Sequence, residues 1–271
     1  MATLSLLFQP PSDLAGCVFA GIYRDTRGVI LSDRDRFNHF PASPLVSVSR
    51  VLHGSLQVVS DGGSRIGEGE VSTLMVMGPT ETPVSSWSAG EVAAISVGLF
   101  HDAWLCLGGD AKFEMVPQVF DDALTAFGEA PDPHEGWRSF CEILGKEWHS
   151  RRPSGWTATH SIADWARAAM NRAALGAAGR SLRSLDRRLR RMSGQSRRSL
   201  DFFSSFEALH EASRSHSHQS LAEIAYASGF ADQSHMGRAV KRATGFTPDR
   251  LNKAIRYEEP FWCYRLLGER F

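Results

Sequence analysis

Gln233, Ser234, His235, Arg238, Lys241 and Arg242 crowd into one short stretch of the sequence, GFADQSHMGRAVKRATGFTP at 229–248. Wound as a helix, that stretch puts Met236, Val240 and Ala243 on one side and Gln233, Ser234, Gly237, Arg238 and Lys241 on the other. Gln and Arg present paired hydrogen bonds of the kind that read adenine and guanine edges in a major groove, and Lys241 and Arg242 suit backbone phosphates. The same face also fits plain water or an acidic protein surface. On its own it does not choose among the three.

The surrounding residues predict how such a helix is held. SLAEIAYASGF opens with Ser220 and Glu223, a capping-box pair that starts a helix at Leu221, with Leu221, Ile224 and Ala225 facing inward. The small Ala225 allows close helix approach. Gly229 suits the left-handed conformation of a sharp turn, and Asp232 is the N-cap of the next helix. Two helices about a glycine turn make a helix-turn-helix unit.

A second copy lies upstream. SIADWARAAMNRAALGAAG reads as an alanine-rich helix with glycines suited to its C-cap, and a turn is expected at Gly179. SLRSLDRRLRRMSG then predicts an amphipathic helix with Leu182, Leu185, Leu189 and Met192 inward and Arg183, Arg187, Arg190 and Arg191 outward, stopped by Gly194. RRMSG closes this unit as KRATG closes the later one. A long helix with Leu200, Phe203, Phe206 and Leu209 inward joins them. On one rigid support, two such units can enter successive major-groove segments about 34 Å apart.

With both units in view, the stretch SLAEIAYASGFADQSHMGRAVKRATGFTPDRL resembles the second helix-turn-helix of AraC-type (AraC/XylS) transcription regulators. The resemblance reaches back through GRSLRSLDRRLRRMSG to about Ile162. Leu189 and Val240 stand where that family often has phenylalanine, and Arg197 where it often has proline. The resemblance implies that Arg183, Asp186 and Arg187 on the first helix and Gln233, Ser234, His235 and Arg238 on the second face bases, with Lys241 and Arg242 on phosphates. Asp186 can accept from a cytosine amine. It further implies an N-terminal domain, often a cupin-like barrel, that senses a small molecule or mediates dimerisation.

The rest of the chain agrees with that division. Net charge is zero over the whole sequence, yet residues 1–150 hold 9 Lys+Arg against 19 Asp+Glu, and residues 151–271 hold 21 against 11. An acidic half is joined to a basic one, and clustered positive charge gains free energy by displacing counterions from phosphates. GCVFAGIY, PLVSVSRVLHG, SLQVVS, VSTLMVMG and EVAAISVGLF are short strand-like runs broken by turn signals at Asp61-Gly62-Gly63 and Gly78-Pro79, the texture of a sandwich or barrel. DDALTAFGEA and GWRSFCEILGKEWHS then read as helices. Trp137, Phe140, Cys141, Leu144 and Trp148 make an apolar stripe that must cover the barrel or a dimer partner.

The fold expected is α+β: a strand-rich, cupin-like effector domain at 1–110, a helical connector at 111–150 that is a candidate dimer contact, and a linker RRPSG at 151–155. An all-α double helix-turn-helix domain at 156–258 and an aromatic tail at 259–271 follow. The tail is expected to cover the helical domain or reach back to the barrel.

The function expected is sequence-specific binding of double-stranded DNA, controlled by a ligand or protein partner at the N-terminal domain. Two alternatives stand beside it: a metal-dependent cupin-type enzyme with a helical accessory, and a protein-interaction module with a basic face. For the first, His39, His53 and His101 are isolated, and His216 and His218 sit in a polar connector, so neither metal nor cofactor is expected. No phosphate loop, GxSxG elbow or HExxH motif occurs. Trp87, Phe100 and Trp104 are read as core rather than as a ligand pocket. Cys17, Cys106, Cys141 and Cys263 lie far apart, as isolated thiols do. SLLF is short for a secretory leader and no run is long enough to span a membrane, so a cytoplasmic protein is expected.

Overall fold

The computed structural model describes residues 2–59, 73–176, 181–215 and 221–268. Apolar residues in short runs build β1 (Leu4–Phe8), β2 (Val18–Asp25), β3 (Phe37–Phe40), β4 (Val46–His53), β5 (Leu56–Val59), β6 (Leu74–Met77), β7 (Val84–Ser88) and β8 (Ala93–Leu99). They form a five-stranded sheet in the order β1-β2-β8-β4-β6 and a three-stranded sheet in the order β3-β7-β5. Every pairing is antiparallel. The cupin-like expectation is met as two antiparallel sheets, with no strand pairing that closes them into a barrel among the described residues.

Three helices follow: α1 (His101–Cys106), α2 (Gln118–Glu129) and α3 (Pro133–Arg151). The apolar stripe of α3 is spent on the larger sheet. Trp137 stacks on Phe8 at 5.2 Å and on Phe140 at 5.1 Å. Gly21 of β2 makes room for it, since a Cβ there would stand 2.5 Å from the Trp137 ring. Phe140, Leu144 and Trp148 are fully buried. The segment read as a linker is pinned as well: the Trp156 indole donates to the Gly16 carbonyl at 3.2 Å and packs edge-on against Trp148.

The C-terminal half is all helix: α4 (Ile162–Leu175), α5 (Leu182–Ser193), α6 (Arg197–Ser215), α7 (Leu221–Ala227), α8 (Gln233–Thr244), α9 (Pro248–Tyr257) and, after a 3₁₀ turn at Glu259–Phe261, α10 (Trp262–Leu267). It shares a core with the sheets. Ile95, Val97, Leu99 and Phe100 belong to one buried cluster with Trp165, Ala166, Ala169, Leu189 and Leu200. A second cluster holds Phe203, Phe206, Leu209, Ala225, Met236, Val240, Leu251, Phe261 and Tyr264.

The tail does both things expected of it. Phe261 and Tyr264 close the second cluster. The Trp262 indole donates to Asn38 Oδ1 at 2.8 Å, Arg24 lies over the Trp262 ring, and Glu259 pairs with Arg24 at 2.6 Å.

Phe100 and Trp104 are core, as expected, and Trp87 is half-buried. One inward assignment fails: Leu182 is 84% exposed, because it is the first residue of α5 and nothing described lies over that end. Leu189 is buried as expected, with Leu185 and Met192 partly so. The turns at Asp61-Gly62-Gly63 and Gly179, the Ser220 cap and the His216/His218 pair lie outside the described residues, as do the side chains of Leu221 and Ile224.

Candidate nucleic-acid interface

The second helix-turn-helix unit is built as its residue types require. After α7 the chain turns at Gly229, whose φ of +79° is left-handed, and the Phe230 amide returns to the Ala225 carbonyl at 2.9 Å. The Asp232 carboxylate then accepts from the His235 amide at 2.7 Å, capping α8. Met236, Ala239, Val240 and Ala243 are buried, which fixes the face that remains free. Gln233, Ser234, His235, Arg238, Lys241 and Arg242 are all exposed. Among the described residues, Gln233, Ser234, Arg238 and Lys241 make no hydrogen bond or ion pair, so their donors and acceptors remain open. The His235 ring meets Phe230 edge-on at 5.4 Å.

The first unit repeats the closure of the second. Ser161 caps α4, and Glu207 of α6 reaches across to accept from the Ile162 and Ala163 amides, both at 2.8 Å. Thus the connecting helix holds the first unit's entry end, a role that no sequence pattern announced. The closures match atom for atom. Ser193 Oγ donates to the Leu189 carbonyl at 2.8 Å and accepts from the Gln195 amide at 3.2 Å, ahead of left-handed Gly194. Thr244 Oγ1 donates to the Val240 carbonyl at 2.8 Å and accepts from the Phe246 amide at 3.2 Å, ahead of left-handed Gly245. A hydroxyl just before the glycine is the signal, present in both RRMSG and KRATG. Arg183 and Arg187 are exposed and make no hydrogen bond or ion pair among the described residues. Asp186 is paired to Arg190 at 2.9 Å, one turn along α5.

Polar contacts tie both units to the sheet domain. At the first unit, Asp102 accepts from the Trp165 indole at 2.9 Å and pairs with Arg172. Burial pushes the Asp102 carboxyl up, against the pull of those two donors. His101 bonds the Met192 carbonyl through Nδ1 at 3.0 Å, and burial lowers its pKa. At the second unit, Glu81 in the β6–β7 loop pairs with Arg242 at 2.8 Å and accepts from Ser199 of α6. The Ser199 hydroxyl, ahead of Arg242, holds the Glu81 carboxyl below its usual range.

A pocket of about 270 Å³ opens on the seam between the halves, lined by Arg34, Phe37 and His39 from the sheet domain and by Phe246, Arg250, Glu258, Pro260 and Phe261 from the helical one. Arg250 pairs with Glu258 at 2.6 Å and Arg34 with it at 3.0 Å, and the Arg250 hydrogen bond holds the Glu258 carboxyl low. Burial lowers the pKa of His39, which favours its neutral form. Among the described residues no three His, Cys, Asp or Glu side chains form a set that could hold a metal ion, and no helix is long and apolar enough to cross a membrane.

Residues 175–254 match the model of a helix-turn-helix domain, and the match spans α5 to α9. The helix-turn-helix architecture expected over this stretch is thereby met. No curated protein matches the sequence. Among solved structures the chain is similar to ToxT from Vibrio cholerae. The wild-type form bound to an unsaturated fatty acid is 11% identical, with a TM-score of 0.39 over 89% of this chain and 100% of that one. A second crystal form is 13% identical, with a TM-score of 0.39 over 92% and 97%.

Proposed function

We propose that this protein reads a duplex with both helix-turn-helix units and that a small anionic ligand at the seam pocket sets how the two units are presented. The reading face of the first unit is Arg183, Asp186 and Arg187, and that of the second is Gln233, Ser234, His235 and Arg238. Lys241 and Arg242 are assigned to phosphates. The observation that carries the proposal is the pair of matching units on one helix, each with its polar side turned outward by a buried face. Open Gln, Ser and Arg donors on such a face suit base edges better than water alone does. A basic face for an acidic protein would not call for two superposable closures.

The pocket supports the ligand part. Arg34 and Arg250 share one carboxylate, Glu258, so the cluster carries an excess positive charge beside the rings of Phe37, Phe246 and Phe261. A carboxylate or phosphate with an apolar body can replace Glu258 between the arginines and lay that body on the rings. Because both halves line the pocket, a ligand there has unequal contacts in two arrangements of the halves, the condition for it to act as a signal. Such a regulator works in the cytoplasm and performs no catalysis of its own. A homodimer would pair surfaces other than the stripe of α3, which the sheet already covers.

Selection of duplexes from random sequence, followed by titration of the enriched site at two salt concentrations, tests the reading. It predicts enrichment of a site with two segments about one helical turn apart and an affinity that falls with salt. Failure to enrich any sequence would remove it.

A further inference from the structure

We infer that Glu81 is a built-in stand-in for a DNA phosphate, which occupies Arg242 of the second recognition helix and restrains that helix until the β6–β7 loop is drawn away. This rests on the DNA-binding reading above and adds an autoinhibitory contact to it.

Of the basic side chains on α8, Arg238 and Lys241 make no ion pair among the described residues, whereas Arg242 is committed. Its Nη2 meets Glu81 Oε2 at 2.8 Å, and its guanidinium lies 4.4 Å over the Phe202 ring of α6. Guanidinium binds carboxylate and phosphate through the same fork of donors, so one cannot fully engage Arg242 while the other holds it. Glu81 is itself steadied by Ser199, and one carboxylate therefore bridges the sheet domain, the connecting helix and the recognition helix. The pair is nevertheless exposed, with side chains 38% and 57% accessible. Exposed pairs are weak and screened by salt, which suits a contact that must exchange rather than a weld.

The loop that carries Glu81 belongs to a polar knuckle. Thr80 and Ser43 exchange backbone hydrogen bonds at 2.8 and 3.1 Å, the neighbouring Ala42 amide donates to the Ala243 carbonyl at 2.7 Å, and Pro83 approaches Gly245. The Ala42 and Pro83 contacts fall on the C-terminal end of α8. The knuckle is also continuous with the seam pocket, because Ala42 lies two residues past the end of β3, which contributes Phe37 and His39 to the pocket wall. A ligand that shifts β3 shifts the knuckle, and Glu81 with it.

The test measures the affinity of the full chain and its Glu81→Ala, Arg242→Ala and Glu81→Ala/Arg242→Ala variants for one selected duplex at low salt, with thermal melts run in parallel. Glu81→Ala is expected to bind about 2- to 5-fold tighter than the parent, the range of one exposed ion pair. The gain should vanish when Arg242 is also alanine. A gain that persists in the Arg242→Ala background would mean simple relief of charge repulsion and would overturn the inference. So would an unchanged or weaker affinity of Glu81→Ala, whether its melting temperature holds or falls. Absence of binding by every protein, the parent included, would remove the DNA-binding reading itself and the latch with it.

Discussion

The two helix-turn-helix units are near copies in their closures and opposites in how the rest of the molecule holds them. The first is fused into the sheet domain. Trp165, Ala166, Ala169 and Leu189 share one core with Val97 and Phe100, and the Trp165 indole is bonded to buried Asp102. The second has its own core, to which the sheet domain contributes Ala42, and meets the sheet domain through the exposed Glu81 pair, the Ala42–Ala243 backbone bond and the tail, whose Trp262 bonds to Asn38 and whose Glu259 pairs with Arg24. Moving the first unit means opening a core. Moving the second leaves its own core closed and breaks these mainly polar contacts. On the proposed function, this asymmetry leaves one reading head sharing a core with the sheet domain and the other joined to it mainly through polar contacts.

Trp165→Ala strikes the first unit and has the largest expected effect. Removing a fully buried Trp costs about 3–5 kcal/mol and leaves Asp102 without its indole donor, so a denaturant melt should show a broad loss of stability. Arg238→Ala acts on the second unit. It should leave the melt unchanged and weaken binding to the selected duplex by about 1–3 kcal/mol, with relaxed preference at one base position. Gly229→Ala sharpens the comparison further. A Cβ there meets no atom, so the penalty comes from the left-handed backbone alone, about 1–2 kcal/mol, and should appear as increased amide exchange in α7 and α8 with α4 and α5 unaffected.

The smallest effect is on pH. His39 and His101 have pKa values lowered by burial, so the unfolded chain takes up protons first as pH falls below about 6.5. Stability should therefore decline modestly from neutral pH to pH 5.5, before the carboxylates of Glu81, Glu258 and Glu259 begin to be protonated. Melts across that range check the sign, and a rise in stability would contradict it.

The second unit was almost fully legible in the sequence, because each step of it is local. A capping Asp232, a turn at Gly229 and the spacing of Met236, Val240 and Ala243 lie within a few residues of one another. In the first unit Leu182 misled, since helical periodicity marks a direction and not whether anything lies there to cover it. Among the strands, β2, β4, β5, β6 and β8 announced themselves through short runs rich in Val and Ile. β3 (FNHF) and β7 (VSSWS) did not, for their burial comes from the sheet and the tail rather than from alternation. The contacts that define the interface between halves were not legible. Glu81 meets Arg242 and Arg24 meets Glu259 across most of the chain, and nothing in either neighbourhood signals the other. The seam pocket is built from such long-range meetings and was hidden for the same reason.

The proposed function requires that α5 and α8 both read one duplex. Protection footprinting of the selected site with the parent, Arg187→Ala and Arg238→Ala proteins tests it most directly. Two protected major-groove segments about one helical turn apart are expected. Arg187→Ala should thin protection at one segment and Arg238→Ala at the other. A single protected segment that responds to one substitution and ignores the other would contradict it.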